Sequence, residues 1–117
     1  MFVTMNRFAV RPEHRADFER RWRERESRLA EVPGFIRNSV LRPVEGAGEH
    51  YVVMTLWESR AAFERWVHSD AFRAAHARAA KTPKEWFAAP NRLEAFEAIT
   101  DEVGAASRSE ETRETGV

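Results

Sequence analysis

The stretch "YVVMTLW" (51–57) is apolar at almost every position and follows a run of turn-forming residues. A half-buried strand alternates apolar with polar side chains, whereas a continuous apolar run of strand length belongs to a strand covered on both faces. In a chain of 117 residues, helices can cover one face of a sheet. The other face needs a second sheet, and another copy of the same chain is the nearest source. The run therefore predicts a sheet and a homodimer together.

Working outward, "EGAGEH" (45–50) supplies a glycine-containing hairpin, so "FIRNSVLRPV" (35–44) is the antiparallel neighbour of 51–57. "PGF" (33–35) divides that strand from a long polar helix predicted over 11–32, with Pro12 near its first turn. The helix has a narrow apolar stripe of Phe18, Trp22, Leu29 and Val32. Arg25 occupies the remaining position of that stripe, among inward-facing neighbours, and an ion pair with a glutamate is the favoured account of it. "FVTMNRFAV" (2–10) reads as a strand with Phe2, Thr4, Asn6, Phe8 and Val10 on one face and Val3, Met5, Arg7 and Ala9 on the other.

On the C-terminal side, Ser59 is placed to cap a helix carrying Phe63, Trp66 and Val67 on one face. "HSD" (68–70) interrupts it, and Ser69 or Asp70 caps a second piece from Ala71 to about Ala80. "KTPKEWFAAPN" (81–91) reads as a loop and "RLEAFEAIT" (92–100) as the last strand. The remainder, "DEVGAASRSEETRETGV" (101–117), is small and polar, and a disordered tail is expected after a domain spanning 1–100. The order β-α-β-β-α-β predicts an α+β, ferredoxin-like fold: an antiparallel sheet with helices on one side. Two such sheets facing each other form a dimeric α+β barrel.

The 19 basic and 19 acidic side chains cancel, so no net field favours nucleic acid or an anionic membrane. No cysteine is present, which excludes disulfides and thiolate metal sites and suits a reducing compartment. No apolar run reaches membrane-spanning length. Strand-like sequence begins almost at the first residue, unlike a signal peptide. A cytoplasmic location is expected.

Chemistry-bearing patterns are sparse. The chain has no glycine-rich phosphate loop, no G-x-S-x-G elbow and no histidine pair at zinc spacing. His14, His50 and His68 sit in a polar first turn, a hairpin and a helix break, where solvation or a local hydrogen bond accounts for each. His76 differs, because Ala75, Ala77, Ala79 and Ala80 leave a flat clearing around it. That clearing fits a planar ligand, although alanine is also simply the best helix former. Trp66, taken alone, is explained by core packing. Asn6 shares a strand face with Phe2, Phe8 and Val10, and a buried amide left unpaired costs about 1–3 kcal/mol. A backbone carbonyl, a water or a polar ligand would satisfy it.

Together these residues carry a resemblance. "MNRF", "PGF", "LRPVEG", "LWES" and "AFERWVHSDAFRAAH" make the chain, from about Phe2 to Thr100, similar to the IsdG-type haem-degrading monooxygenases. Those enzymes are a branch of the antibiotic biosynthesis monooxygenase-like superfamily of dimeric α+β barrels. "PGF" and "W-x-S" are common to the wider superfamily; the Asn, Trp and His falling at Asn6, Trp66 and His76 are the specific part.

The resemblance implies haem as both cofactor and substrate, with the porphyrin opened by O2 and electrons from an external donor or reductase, and iron released. It implies that His76 is the axial iron ligand, that Asn6 donates to the ligand on the opposite side, and that Trp66 bends the ring. Arg25 would then have a haem propionate as a second possible partner, and the 81–90 loop lies where it could cover the pocket. Two other readings stay open. One is a cofactor-free oxygenase of the same superfamily acting on a quinol or polyketide-like aromatic; the other is a protein that binds or stores haem without breaking it.

Overall fold

A computed structural model describes residues 1–106, and the β-α-β-β-α-β order is present in it. Strands β1 (Phe2–Phe8), β2 (Phe35–Leu41), β3 (Tyr51–Trp57) and β4 (Arg92–Glu97) form one antiparallel sheet, ordered β2-β3-β1-β4. Helices α1 (Arg15–Glu24) and α2 (Arg60–Val67) supply buried side chains, Phe18 and Ala62, to the sheet's inner face. Helix α3 (Asp70–Ala79) follows α2 directly and buries none of its own residues. Ser69, rather than Asp70, caps it, its Oγ accepting from the Phe72 N–H at 3.1 Å, and Ser59 caps α2 in the same way through the Ala62 N–H at 3.1 Å.

The structure meets the double-sided reading of β3 on one face. Tyr51, Val53, Thr55 and Trp57 are buried under the helices, while Val52, Met54 and Leu56 remain partly exposed on the outer face. Register pairs Met54 with Met5 and Leu56 with Val3, and Val3 with Phe96 on its other side. The outer face is thus an apolar surface that no described element of the chain covers.

Helix α1 is shorter than the 11–32 span predicted. It is preceded by a 3-10 turn, Pro12–His14, and Arg25 leaves it with extended backbone (φ −65°, ψ 144°). Residues 25–28 carry no apolar side chain to hold the stripe on the core, and a separate 3-10 turn, Leu29–Glu31, returns Leu29 and Val32 to it. The strands also end early. β1 stops at Phe8, with Val10 bridging to Phe87; β2 stops before Pro43; and β4 stops at Glu97. Of the tail expected over 101–117, residues 107–117 lie outside the described ones. Among the described residues no helix is long and apolar enough to cross a membrane.

"PGF" has a local cause. Gly34 has φ +82°, and a Cβ there would collide with the Ala62 side chain, so only glycine lets the chain pass under α2 into β2. At the other end of the molecule, Glu19 fastens α1 to the sheet. It accepts from Arg42 Nε at 2.8 Å and from the hydroxyl of the fully buried Tyr51 at 2.5 Å. Hydrogen bonds from Arg42, then from Tyr51, lower its pKa from 4.5 to about 2.

A carboxylate with a lowered folded-state pKa contributes stability that is present in full above its unfolded value and lost as pH falls through the folded one. Glu19 should therefore stabilise the fold above about pH 4.5 and progressively less towards pH 2. Arg42 is largely solvent-exposed, so solvent screens part of the effect. Thermal unfolding of the parent and of Glu19→Gln between pH 7 and pH 3 checks this: the gap between their melting temperatures should narrow with acid. A constant gap counts against the tether.

Candidate active site

The inner face of the sheet is apolar at its ends and polar across its middle. Phe2, Trp57 and Ala62 form one buried cluster, joined by Phe35, Phe63 and Trp66; Val10, Phe18 and Tyr51 form another, joined by Phe8, Trp22 and Phe87. Between them, register aligns Asn38, Thr55 and Thr4 in one cross-strand row and Val40, Val53, Asn6 and Leu93 in the next. Thr4 and Thr55 are buried, but Leu93 is 56% exposed, and Ala95 beside it is exposed too. The helices therefore leave the β4 side of this floor open, with Asn6 at the boundary.

Asn6 is half-buried, and its Oδ1 accepts from Asn91 Nδ2 at 2.9 Å. Its amide NH2 has no acceptor among the described residues. Trp66 lies with its ring 6.1 Å from that of the buried Trp57 and edge-on to Phe72 at 5.5 Å. Phe72 in turn stands 5.1 Å from the His76 ring. Trp66 and His76 are thus brought together through Phe72 in one aromatic row along α2 and α3. No hydrogen bond or ring contact joins Asn6 to either of them among the described residues. His76 is exposed, and neither of its ring nitrogens has a hydrogen-bond partner among the described residues.

Helix α3 is held at its ends. At one end, Ser69 Oγ donates to the Trp66 carbonyl at 2.6 Å; at the other, Arg21 Nη2 donates to the Arg78 carbonyl and Arg78 Nη2 to the Glu26 carbonyl, each at 2.9 Å. A helix suspended in this way, with no side chain buried, leaves its alanine-rich face available to a flat ligand.

Arg25 does not form the ion pair with a glutamate that its position on the stripe suggested. Having left the helix, its guanidinium caps the Trp22 carbonyl at 3.2 Å, lies over the Trp22 ring at 4.4 Å, and donates to Asn38 Oδ1 at 2.9 Å. Asn38 Nδ2 donates onward to Thr55 Oγ1 at 2.9 Å. Burial first, and then the nearby Arg78 cation, push the Arg25 pKa down from its usual value. A cavity of ≈ 450 Å3 opens beside Arg25 and Asn38, bounded also by Leu29 and Phe35; Asn6, Trp66 and His76 do not line it. The 81–90 segment is tied to the start of the chain by the Arg11 N–H to the Trp86 carbonyl at 2.7 Å, and its Trp86 and Phe87 close the second core cluster. Asn38 and Asn91 are the polar residues that sequence reading missed, since each looked like an ordinary strand or loop asparagine.

Residues 1–78 match the antibiotic biosynthesis monooxygenase family along two thirds of the chain. The chain belongs to that family. Within it, the chain is 43% identical over 61 residues to a mycobilin-producing haem oxygenase of Mycobacterium tuberculosis, a match covering 52% of this chain. That match spans only 56% of the curated relative's length. Solved structures extend the likeness. A variant of MhuD with two manganese protoporphyrin IX molecules per active site is 33% identical, with a TM-score of 0.73, over 89% of this chain and 100% of that one. MhuD of M. tuberculosis with two haems in its active site is 32% identical, with a TM-score of 0.69 and the same coverage. The family resemblance carried by Asn6, Trp66 and His76 is borne out at the level of family and fold.

Replacing Asn38 tests the polar row. Asn38→Leu removes both of its hydrogen bonds and leaves the Thr55 hydroxyl buried without its partner, at a cost of about 1–3 kcal/mol. The urea midpoint should fall with an unchanged slope. A midpoint equal to the parent's would show that the row is solvated.

Proposed function

We propose that this protein is a haem-degrading monooxygenase that takes haem as cofactor and substrate and opens its ring with O2 and electrons from an external donor. The observation that carries the reading is His76. Its imidazole is solvent-accessible and free of hydrogen bonds among the described residues, and it projects from a helix that buries nothing. The likeness to porphyrin-bound MhuD over the whole of that chain supports the same reading.

The residues present fit such a ligand. Bound haem supplies a redox-active iron and the ring carbons that are oxidised. His76 would supply an imidazole nitrogen to the iron, with no thiolate competitor in the chain. Asn6, its carbonyl taken by Asn91, offers amide donors from the sheet floor. Trp66 meets the porphyrin face as a wedge. The packing on Trp57 that makes it look like core is also what keeps it from yielding to a ring pressed against it. Arg78 is near enough to disfavour the Arg25 charge, and a propionate near them would relieve that repulsion.

The remaining parts of the reading follow from the same frame. The uncovered outer face, with Val3, Met5, Val52, Met54, Leu56 and Phe96, is assigned to a second copy of the chain. The electrons come from a separate reductase or small reductant, and the reaction runs in the cytoplasm. Residues 1–100 form the working domain, and the tail lies outside it.

Adding hemin should shift the Soret band, and ascorbate or a reductase in air should bleach it. His76→Ala should lose the iron-ligand spectrum and at least about a hundredfold of the degradation rate, since even outer-shell losses at metal sites reach that size. Trp66→Phe should bind haem yet open it more slowly or elsewhere on the ring. A shift without bleaching would leave a haem carrier, and no shift would leave the cofactor-free oxygenase. The homodimer has its own check. Met54→Glu places charge at the centre of the outer face and should convert a dimer to a folded monomer in analytical ultracentrifugation. A parent that sediments as a monomer at micromolar concentration removes the paired-sheet assignment.

A further inference from the structure

We propose that Asn91 is a positioning residue that fixes which end of the Asn6 carboxamide faces the cleft. The inference rests on the haem-degrading reading for its purpose but on the sheet geometry for its content.

Asn6 pairs with Leu93, so Asn91 is its diagonal neighbour just before β4, two residues ahead of Leu93. Directly opposed side chains are close, and diagonal ones remain within reach of a polar group with a short stem. The reach is used: Asn91 Nδ2 donates to Asn6 Oδ1 at 2.9 Å. A primary amide has an acceptor end and a donor end on opposite sides of one planar group. With the acceptor held towards β4, the Asn6 NH2 is turned away from Asn91, back over the inner face. Nothing else described on the chain selects that orientation, because no other side chain is hydrogen-bonded to Asn6. Without Asn91, the amide can present its carbonyl oxygen to the cleft as easily as its NH2. An oxygen there would repel an electron-rich ligand where the nitrogen would donate to it. Asn91 is exposed and belongs to no core cluster, so changing it leaves the packing intact.

Side-chain amide NMR of the haem-free protein reads the orientation directly. In the parent, an NOE should connect the Asn91 and Asn6 side chains, with the Asn91 amide protons exchanging more slowly than those of an exposed asparagine. Asn91→Asp replaces the donor with an acceptor. It should flip the Asn6 amide, shift its two proton resonances and slow their exchange. In the ferric haem-loaded protein, azide should bind with affinity lower by about fivefold in Asn91→Asp and by about twofold in Asn91→Ala, the scale of one hydrogen bond. Asn91→Ser, which can still donate to Oδ1, should restore part of the loss. Unchanged Asn6 amide resonances in Asn91→Asp, or equal azide affinity across all variants, would overturn the proposal. A parent that takes up no haem would defeat the proposed function alone, and the amide NMR would still decide the orientation.

Discussion

The structure depends on a mismatch between the area of the sheet and the helices available to cover it. Helices α1 and α2 meet a four-stranded sheet and seal it at its two ends, where aromatic rings gather around Trp57 and Tyr51. Across the middle the chain sets Thr4, Thr55, Asn38 and Asn6 among Val40, Val53 and Leu93. Polar groups there prevent the two clusters from merging. A continuous apolar core would be more stable by the usual accounting of burial, and it would leave no floor for a ligand.

Each candidate residue is tied to a structural one. Trp66 leans on Trp57, His76 stands behind Phe72, and Asn6 is held by Asn91. Arg25 is held through Asn38 to Thr55. Asn6, Trp66 and His76 are therefore carried by a strand and two helices rather than by a loop.

Much of this was legible in the amino-acid order, and the exceptions share a cause. The serine caps and the glycine of "PGF" are local signals, and each means in the fold what it means in the sequence; the apolar run of β3 does so for the face under the helices. The end of α1 was not legible. Whether Arg25 stays helical depends on an asparagine 13 residues away that offers its side-chain oxygen, and helical periodicity contains no trace of that bond. The role of Asn91 is more remote still, 85 residues from its partner, and it emerges only from the register between β1 and β4. Asn6, Trp66 and His76 were recognisable as a family pattern, but their supports were not, because supports are contacts and not residue types.

The suspension of α3 has a consequence for motion. Its tethers are hydrogen bonds at either end, from Ser69 and from the Arg21–Arg78–Glu26 set, and none of its side chains is buried between them. Local opening costs least where little apolar surface is given up. Of the three helices, α3 therefore separates from its neighbours with the least loss of buried surface, while the sheet beneath keeps its register.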